Sequence, residues 1–327
     1  MDTGQFYLGW SRSSLTSADG ARYHSPAMKP LLLSLLCLWM TDSATAAVKV
    51  ATLHPILADL ARQVGGEHVQ VVEVLKAGGD VHHFEPAARD IAAMRGSVLL
   101  LAMGKHLETY LDKLRDSLGS GVKVVEVGRP IPSLKLDPSQ EVFVCCPHHS
   151  HSSIDPHWWH SAENMKRASR FLADELAAVD PVHEDSYTSA AKVASKRFDE
   201  LKRWAQQQIS GIPRADRKLV TAHAAFGYFC KEFGFKSVPV LGIGRSDDAS
   251  PQYIAQTMQV IRDQKIRAVF PEDQANPKVL TEIVRSTGVK LGDSLVADGT
   301  ALNAHTFETM LGHNVRAIVA ALKPVAP

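Results

Sequence analysis

The amino-acid sequence predicts an α/β protein of two lobes, each a mainly parallel sheet flanked by helices, joined by one long helix. Three observations lead there. Short β-branched runs alternate with helical patterns on both sides of the chain's middle, the mark of βα units in parallel sheets. The strand-like runs lack strict polar alternation, as strands covered on both faces do. Between the two alternating stretches lies a segment with neither a strand-like run nor a glycine. A length of 327 residues fits two domains.

The elements follow in order. VKVATL (48–53), VQVVEVL (69–75), SVLLLAM (97–103) and VKVVEV (122–127) read as strands. PILADLARQVG (55–65) and HLETYLDKLRDSL (106–118) between them read as helices. In the middle, Ala190, Ala194, Phe198, Leu201 and Ala205 recur at spacings of three and four, with charged and amide residues on the other faces. That is one amphipathic helix over 181–210, roughly 40 Å long. Gly211 and Pro213 end it. KLVTA (218–222), SVPVLG (237–242) and RAVFPE (267–272) then resume the strands. AFGYFCKEFG (225–234), PQYIAQTMQVIRDQ (251–264) and PKVLTEIVRSTG (277–288) are the helices between and after them. No internal repeat is visible in the sequence.

The front of the chain is not part of that pattern. From Met28, MKPLLLSLLCLWMTDSATAA has a lysine, an apolar core from Pro30 to Met40, and Ala44-Thr45-Ala46 as a small-residue cleavage site. This is a secretory signal, too short in its apolar core for a stop-transfer helix. The expected organisation is a non-native extension at 1–27, a signal peptide at 28–46, an N-terminal lobe at 47–180, the linking helix at 181–210 and a C-terminal lobe at 211–327. Cys37 follows Leu36 rather than a small residue, which argues against lipid attachment there. Cys145, Cys146 and Cys230 remain after cleavage and read as free or buried thiols.

Composition narrows the function classes. The 36 basic and 35 acidic residues give a net charge of +1, so nothing favours a nucleic-acid or membrane-surface partner. Fifteen histidines against six tyrosines is unusual, and imidazole suits transition metals. His82 and His83 sit in GGDVHHFEP, His157 in DPHWWH, His223 at the end of KLVTA, and Asp293 in LGDSL. Each is roughly 70 residues from the next, unlike a zinc finger or a HExxH helix. Such spacing fits ligands drawn from separate loops at strand ends. No GxSxG or Walker motif is present, and Gly242-Ile-Gly244 is only half a dinucleotide fingerprint.

Four ordered motifs give the chain a resemblance, from about residue 48 to 325, to the zinc and manganese solute-binding proteins of bacterial ABC importers (solute-binding protein family 9). The family's DPHxxEP is here Asp80-Val-His-His-Phe-Glu-Pro86, and its DPHxW is Asp155-Pro-His-Trp-Trp159. HDAFGYF is here His223-Ala-Ala-Phe-Gly-Tyr-Phe229, and the late DSL is Asp293-Ser-Leu295. GKHLETYL (104–111) looks like NGxxLExWL. The resemblance implies metal ligands at His82, His157, His223 and Asp293, in a cleft between the lobes, with Asp293 exchangeable for water. His83 takes the slot of a variable residue. Val81 replaces the usual proline, and Ala224 the usual aspartate, which removes a carboxylate that would support His223.

Three imidazoles and one carboxylate suit Zn2+, with Mn2+ the alternative because it prefers more oxygen. The resemblance implies a non-catalytic periplasmic monomer, free of the membrane after signal cleavage, that delivers zinc to a membrane permease. Two rivals are a zinc hydrolase, whose only nearby base by sequence is Glu85, and a metal-dependent adhesin. His148, His149 and His151 resemble, in shortened form, the histidine-rich loop of the family's zinc members, and the loop captures ions weakly, senses excess zinc or is simply polar. Trp158 and Trp159 either wall the site or pack the core. His54, His68, His106, His160, His183, His305 and His313 read as surface or packing residues.

Overall fold

The computed structural model describes residues 46–135, 154–240, 251–273, 278–301 and 304–324. The signal pattern up to Thr45, Cys145, Cys146, His148, His149, His151, Gly242 and Gly244 lie outside them. The described residues form one compact unit.

Four strands make the first sheet: β1 (Val48–Thr52), β2 (Val69–Glu73), β3 (Leu99–Ala102) and β4 (Lys123–Glu126). They lie in the order β2-β1-β3-β4, all parallel. A short antiparallel pair, β5 (Leu134–Lys135) with β6 (Ile154–Asp155), follows. The second sheet holds β7 (Lys218–Thr221), β8 (Lys236–Pro239), β9 (Ala268–Phe270) and β10 (Lys290–Leu291), in the order β10-β9-β7-β8 and again all parallel. Counted from its own first strand, each sheet has the same order, a likeness the sequence hides.

Alternate residues along each central strand enter different cores, which explains the unbroken apolar runs. In the first sheet, Val50, Leu99 and Leu101 face one core, while Ala51, Leu100 and Ala102 face another with Met94, Leu111 and Leu114. In the second, Leu219, Ala268 and Phe270 join the first core, and Val220 and Val269 pack with Ile261, Leu280 and Ile283. One contiguous core thus spans the inner faces of both sheets. Each buried large apolar side chain there contributes about 1.5–3 kcal/mol.

Helices cover these faces. α1 (Pro55–Gly65) matches its expected bounds, and α2 (Ala88–Met94) and α3 (Leu111–Leu118) cover the outer face of the first sheet. α3 is shorter than the HLETYLDKLRDSL pattern suggested. Glu108 is the reason: its buried carboxylate accepts the Met103 and Gly104 backbone N–H groups at 2.7 and 3.0 Å. The chain wraps around it through left-handed Lys105 and His106 before the helix begins.

After α4 (Ala162–Val179) comes the long helix, α5 (Glu184–Ser210), of 27 residues and about 40 Å. Its buried stripe, Tyr187, Ala191, Ala194, Phe198, Ala205 and Ile209, packs against α4, α1 and a C-terminal helix. It is a core element as well as a connection. The second sheet is flanked by α6 (Gly227–Phe233), α7 (Pro251–Asp263) and α8 (Lys278–Thr287), with α9 (Phe307–Leu322) closing the chain. Among the described residues no helix is long and apolar enough to cross a membrane.

Candidate metal centre

His82 lies in the loop after β2. Asp80 Oδ1 accepts the backbone N–H groups of His82 at 2.9 Å and His83 at 3.2 Å, making a tight turn. Val81 is buried where the family's proline was expected. The turn sends the two histidines opposite ways. The His82 side chain is fully buried, while that of His83 is 57% exposed and bonded to Asp80 Oδ2.

His157 follows β6. Asp155 Oδ1 accepts both its backbone N–H and its Nδ1–H, each at 2.8 Å. This double contact fixes the ring and turns Nε2 toward the other histidines as the donor atom. His223 follows β7 in the same way. Glu272, at the end of β9, accepts the His223 backbone N–H at 2.9 Å and its Nδ1–H through the other oxygen. Both side chains are fully buried.

The three rings form a near-regular triangle, with centroids 5.2, 5.3 and 5.5 Å apart. The carboxylate completing the group belongs to Asp298. Its Oδ1 lies 3.3 Å from His223 Nε2, 3.5 Å from His82 Nε2 and 4.0 Å from His157 Nε2. His82 and His157 Nε2 are 3.3 Å apart. All four donor atoms lie within 4.8 Å of one another.

Asp293 is not in this cluster and is exposed. Register explains the correction. Beyond β10 the chain stays parallel to its neighbour, with Leu295 bridged to Glu272 and its N–H bonded to Pro271 O at 2.8 Å. Asp293 therefore lies below the C-terminal edge of the sheet, and the chain reaches the cleft only at Asp298. Glu85, the one base a hydrolase reading offered, is also exposed.

Electrostatics bind the group together. Burial alone would raise the Asp298 carboxyl, but His223 and His82 beside it hold it well below the usual carboxylate range. Burial would depress His223, yet Glu272 and Asp298 lift it to about 10. Burial raises Asp155 to about 7, against the pull of the His157 N–H and nearby imidazoles.

Two tryptophans and two more histidines pack around this centre. Trp158 and Trp159 are fully buried and donate Nε1–H to Met103 O at 3.1 Å and Ala297 O at 3.0 Å. Trp159 also lies edge-on to His157 at 5.1 Å, so it both packs the core and walls the site. His54 and His160, expected at the surface or in packing, are fully buried beside it, and burial lowers both to about 3. Asp298 and Glu272 were missed. Glu272 had one signal, a carboxylate closing the strand-like run RAVFPE, as His223 follows KLVTA; Asp298 closes no run of that kind. Cys230 is a buried free thiol.

Known proteins share this arrangement of the chain. The manganese-binding lipoprotein MntA of Halalkalibacterium halodurans is 27% identical over 86% of this chain and 91% of its own length. The zinc-binding protein TroA of Treponema pallidum is 26% identical over 84% and 88%. The solved structure of the periplasmic zinc binding protein TroA superposes with a TM-score of 0.74 at 24% identity, covering 86% of this chain and all of that one. A manganese-bound periplasmic metal binding protein from Candidatus Liberibacter asiaticus also gives 0.74, at 23% identity over 84% and 99%. The family model for the periplasmic zinc-uptake complex component A matches residues 50–321, most of the chain, and the protein belongs to that family.

Proposed function

We propose that this protein captures Zn2+ in the periplasm with His82, His157, His223 and Asp298 and presents it, as a monomer, to the membrane permease of an ABC importer. The coarser role follows from the family: a metal-binding solute-binding protein of ABC importers, not an enzyme. The single observation carrying the choice of zinc is the donor set. Asp298 Oδ1 stands 3.3 to 4.0 Å from three imidazole nitrogens, and all four donors lie within 4.8 Å of one another. Donors 2.0–2.2 Å from a tetrahedral zinc would be about 3.3–3.6 Å apart, so small side-chain shifts suffice.

Manganese is the second reading, because relatives such as MntA are named for it. A nitrogen-rich set disfavours it, since manganese prefers oxygen. The domain reading is carried forward with this proposal: lobes at 47–180 and 211–327, and a linking helix at 181–210. Because α5 is built into the core, release would proceed through small lobe movements and local changes in the ligand loops.

Metal analysis of protein purified without chelators tests the reading, followed by competition between zinc and manganese against a chromophoric chelator. One tightly held zinc per chain, not displaced by excess manganese, is expected. Tight manganese with weak zinc would establish the second reading instead.

A further inference from the structure

His54 stands at the C-terminal end of β1, as the cap of α1, where its Nδ1 accepts the backbone N–H of Ile56 at 3.2 Å. A ring nitrogen that accepts an N–H carries no proton of its own. The neutral ring therefore bears its proton on Nε2. That nitrogen is buried and makes no hydrogen bond among the described residues. For a buried N–H this is uncommon and calls for a partner.

The ring's surroundings say where the partner lies. One face packs on Trp159, 4.6 Å between centroids, and Trp159 in turn meets His157. The Cε1 edge, next to Nε2, abuts Gly299, where an added Cβ would be 3.1 Å away. Gly299 follows Asp298 directly, and Asp298 is the anion acting most strongly on His54. His54 is outside the four-donor cluster. It cannot ligate through Nε2 without moving its proton to Nδ1, which would break the helix cap.

We propose that His54 is a positioning and specificity-determining residue for the metal site. Its Nε2–H reaches Asp298 Oδ2 through one bridging water, while Oδ1 faces the three imidazoles. A carboxylate with one oxygen engaged in this way offers the ion only the other. The site is thereby held to four donors, which favours zinc and disfavours an oxygen-seeking ion that would take the carboxylate through both oxygens. The inference rests on the proposed role of Asp298 as a ligand.

The test uses the signal-cleaved protein and His54→Asn, which keeps a side-chain acceptor for the helix cap but removes the Nε2–H. Zinc and manganese affinities are measured by chelator competition, and the absorption spectrum of the cobalt(II) form reports coordination number. The expected result is a fall of about tenfold in the zinc-to-manganese affinity ratio. The intense tetrahedral cobalt bands should weaken toward those of a five- or six-coordinate ion. An unchanged ratio with an unchanged spectrum would overturn the inference and leave His54 a helix cap. Absence of tight zinc in the unsubstituted protein would instead overturn the proposed function. Nitrogen-15 NMR of the unsubstituted imidazoles needs no variant. A proton on His54 Nε2, with and without zinc, supports the inference; a proton on Nδ1 sinks it.

Discussion

Glu272 grips His223 at two points, accepting its backbone N–H at 2.9 Å and its Nδ1–H through the second oxygen. Both side chains are fully buried. The contact joins the ends of β7 and β9, adjacent strands of one sheet, so the sheet itself aims the imidazole. It also supplies the supporting carboxylate that Ala224 cannot. Carboxylates behind a ligating histidine fix its tautomer and strengthen it as a donor, and their removal costs about 10- to 100-fold in metal affinity. Glu272→Ala should therefore weaken zinc binding by about that factor, read by chelator competition. An unchanged affinity would mean that His223 needs no such support.

The fourth donor is tested by a pair of aspartates. Asp298→Asn should lower zinc affinity by about tenfold or more, equivalent to about 1.4 kcal/mol. Asp293→Asn, at an exposed position, should leave it unchanged. The opposite outcome would restore the assignment that the motif suggested.

His82 and His83 make a similar contrast. The first is buried among the donors and the second is 57% exposed. His82→Ala should cost at least about tenfold in zinc affinity, and His83→Ala far less. Loss on the second substitution alone would place the wrong histidine in the cluster.

The sequence made most of the fold readable because its strands are buried on both faces and its helices are amphipathic. Val50 and Ala51 enter different cores, and that is why VKVATL reads as a strand without alternating. His82, His157 and His223 stood out in the sequence because each sat in a specific motif. Asp298 did not, since it sits in none of them. Its place depends on how far β10's pairing continues, out to Leu295 opposite Glu272. His54 was hidden for a related reason: burial beside the site is a tertiary fact that a histidine after a strand does not announce.

Acidity should act on the protein and on its zinc in opposite senses. Without metal, His223 is raised to about 10 by Glu272 and Asp298 despite burial. Its unfolded value is about 6.5. The protonated ring therefore contributes stability that is fully present below pH 6.5 and is lost as pH rises through 10. Zinc needs the neutral ring and must displace that proton, so its affinity should climb between pH 6.5 and 10. Calorimetry at pH 7.5 in buffers of different ionisation enthalpy should show about one proton released per zinc. No release would mean that His223 is already neutral in the free protein. The thermal shift produced by zinc should correspondingly be large near pH 7.5 and small near pH 5.

Gly227 should prove intolerant of the smallest side chain. It opens α6, and its Cα comes so close to the β5–β6 pair that an added Cβ would stand 2.4 Å from Asp155 Oδ2 and 2.9 Å from Leu134 Cδ2. Neither neighbour can yield easily. The Asp155 side chain is 1% exposed and its other oxygen holds His157 at two points. Leu134 is held in the β5–β6 pair, with its N–H on Tyr228 Oη at 2.9 Å. A methyl group at Gly227 must push Asp155, and with it the His157 ring, off the axis that aims Nε2 at the other donors. Alanine is otherwise the better helix former, although at the first position of α6 that preference is smaller than the roughly 1 kcal/mol of a helix interior. Gly227→Ala should therefore lower both the melting temperature and zinc affinity, the latter by about tenfold. Asp155→Asn should lower affinity with a smaller change in melting. A more stable Gly227→Ala protein with full zinc affinity would show that Asp155 has room to move and that His157 does not depend on its exact place.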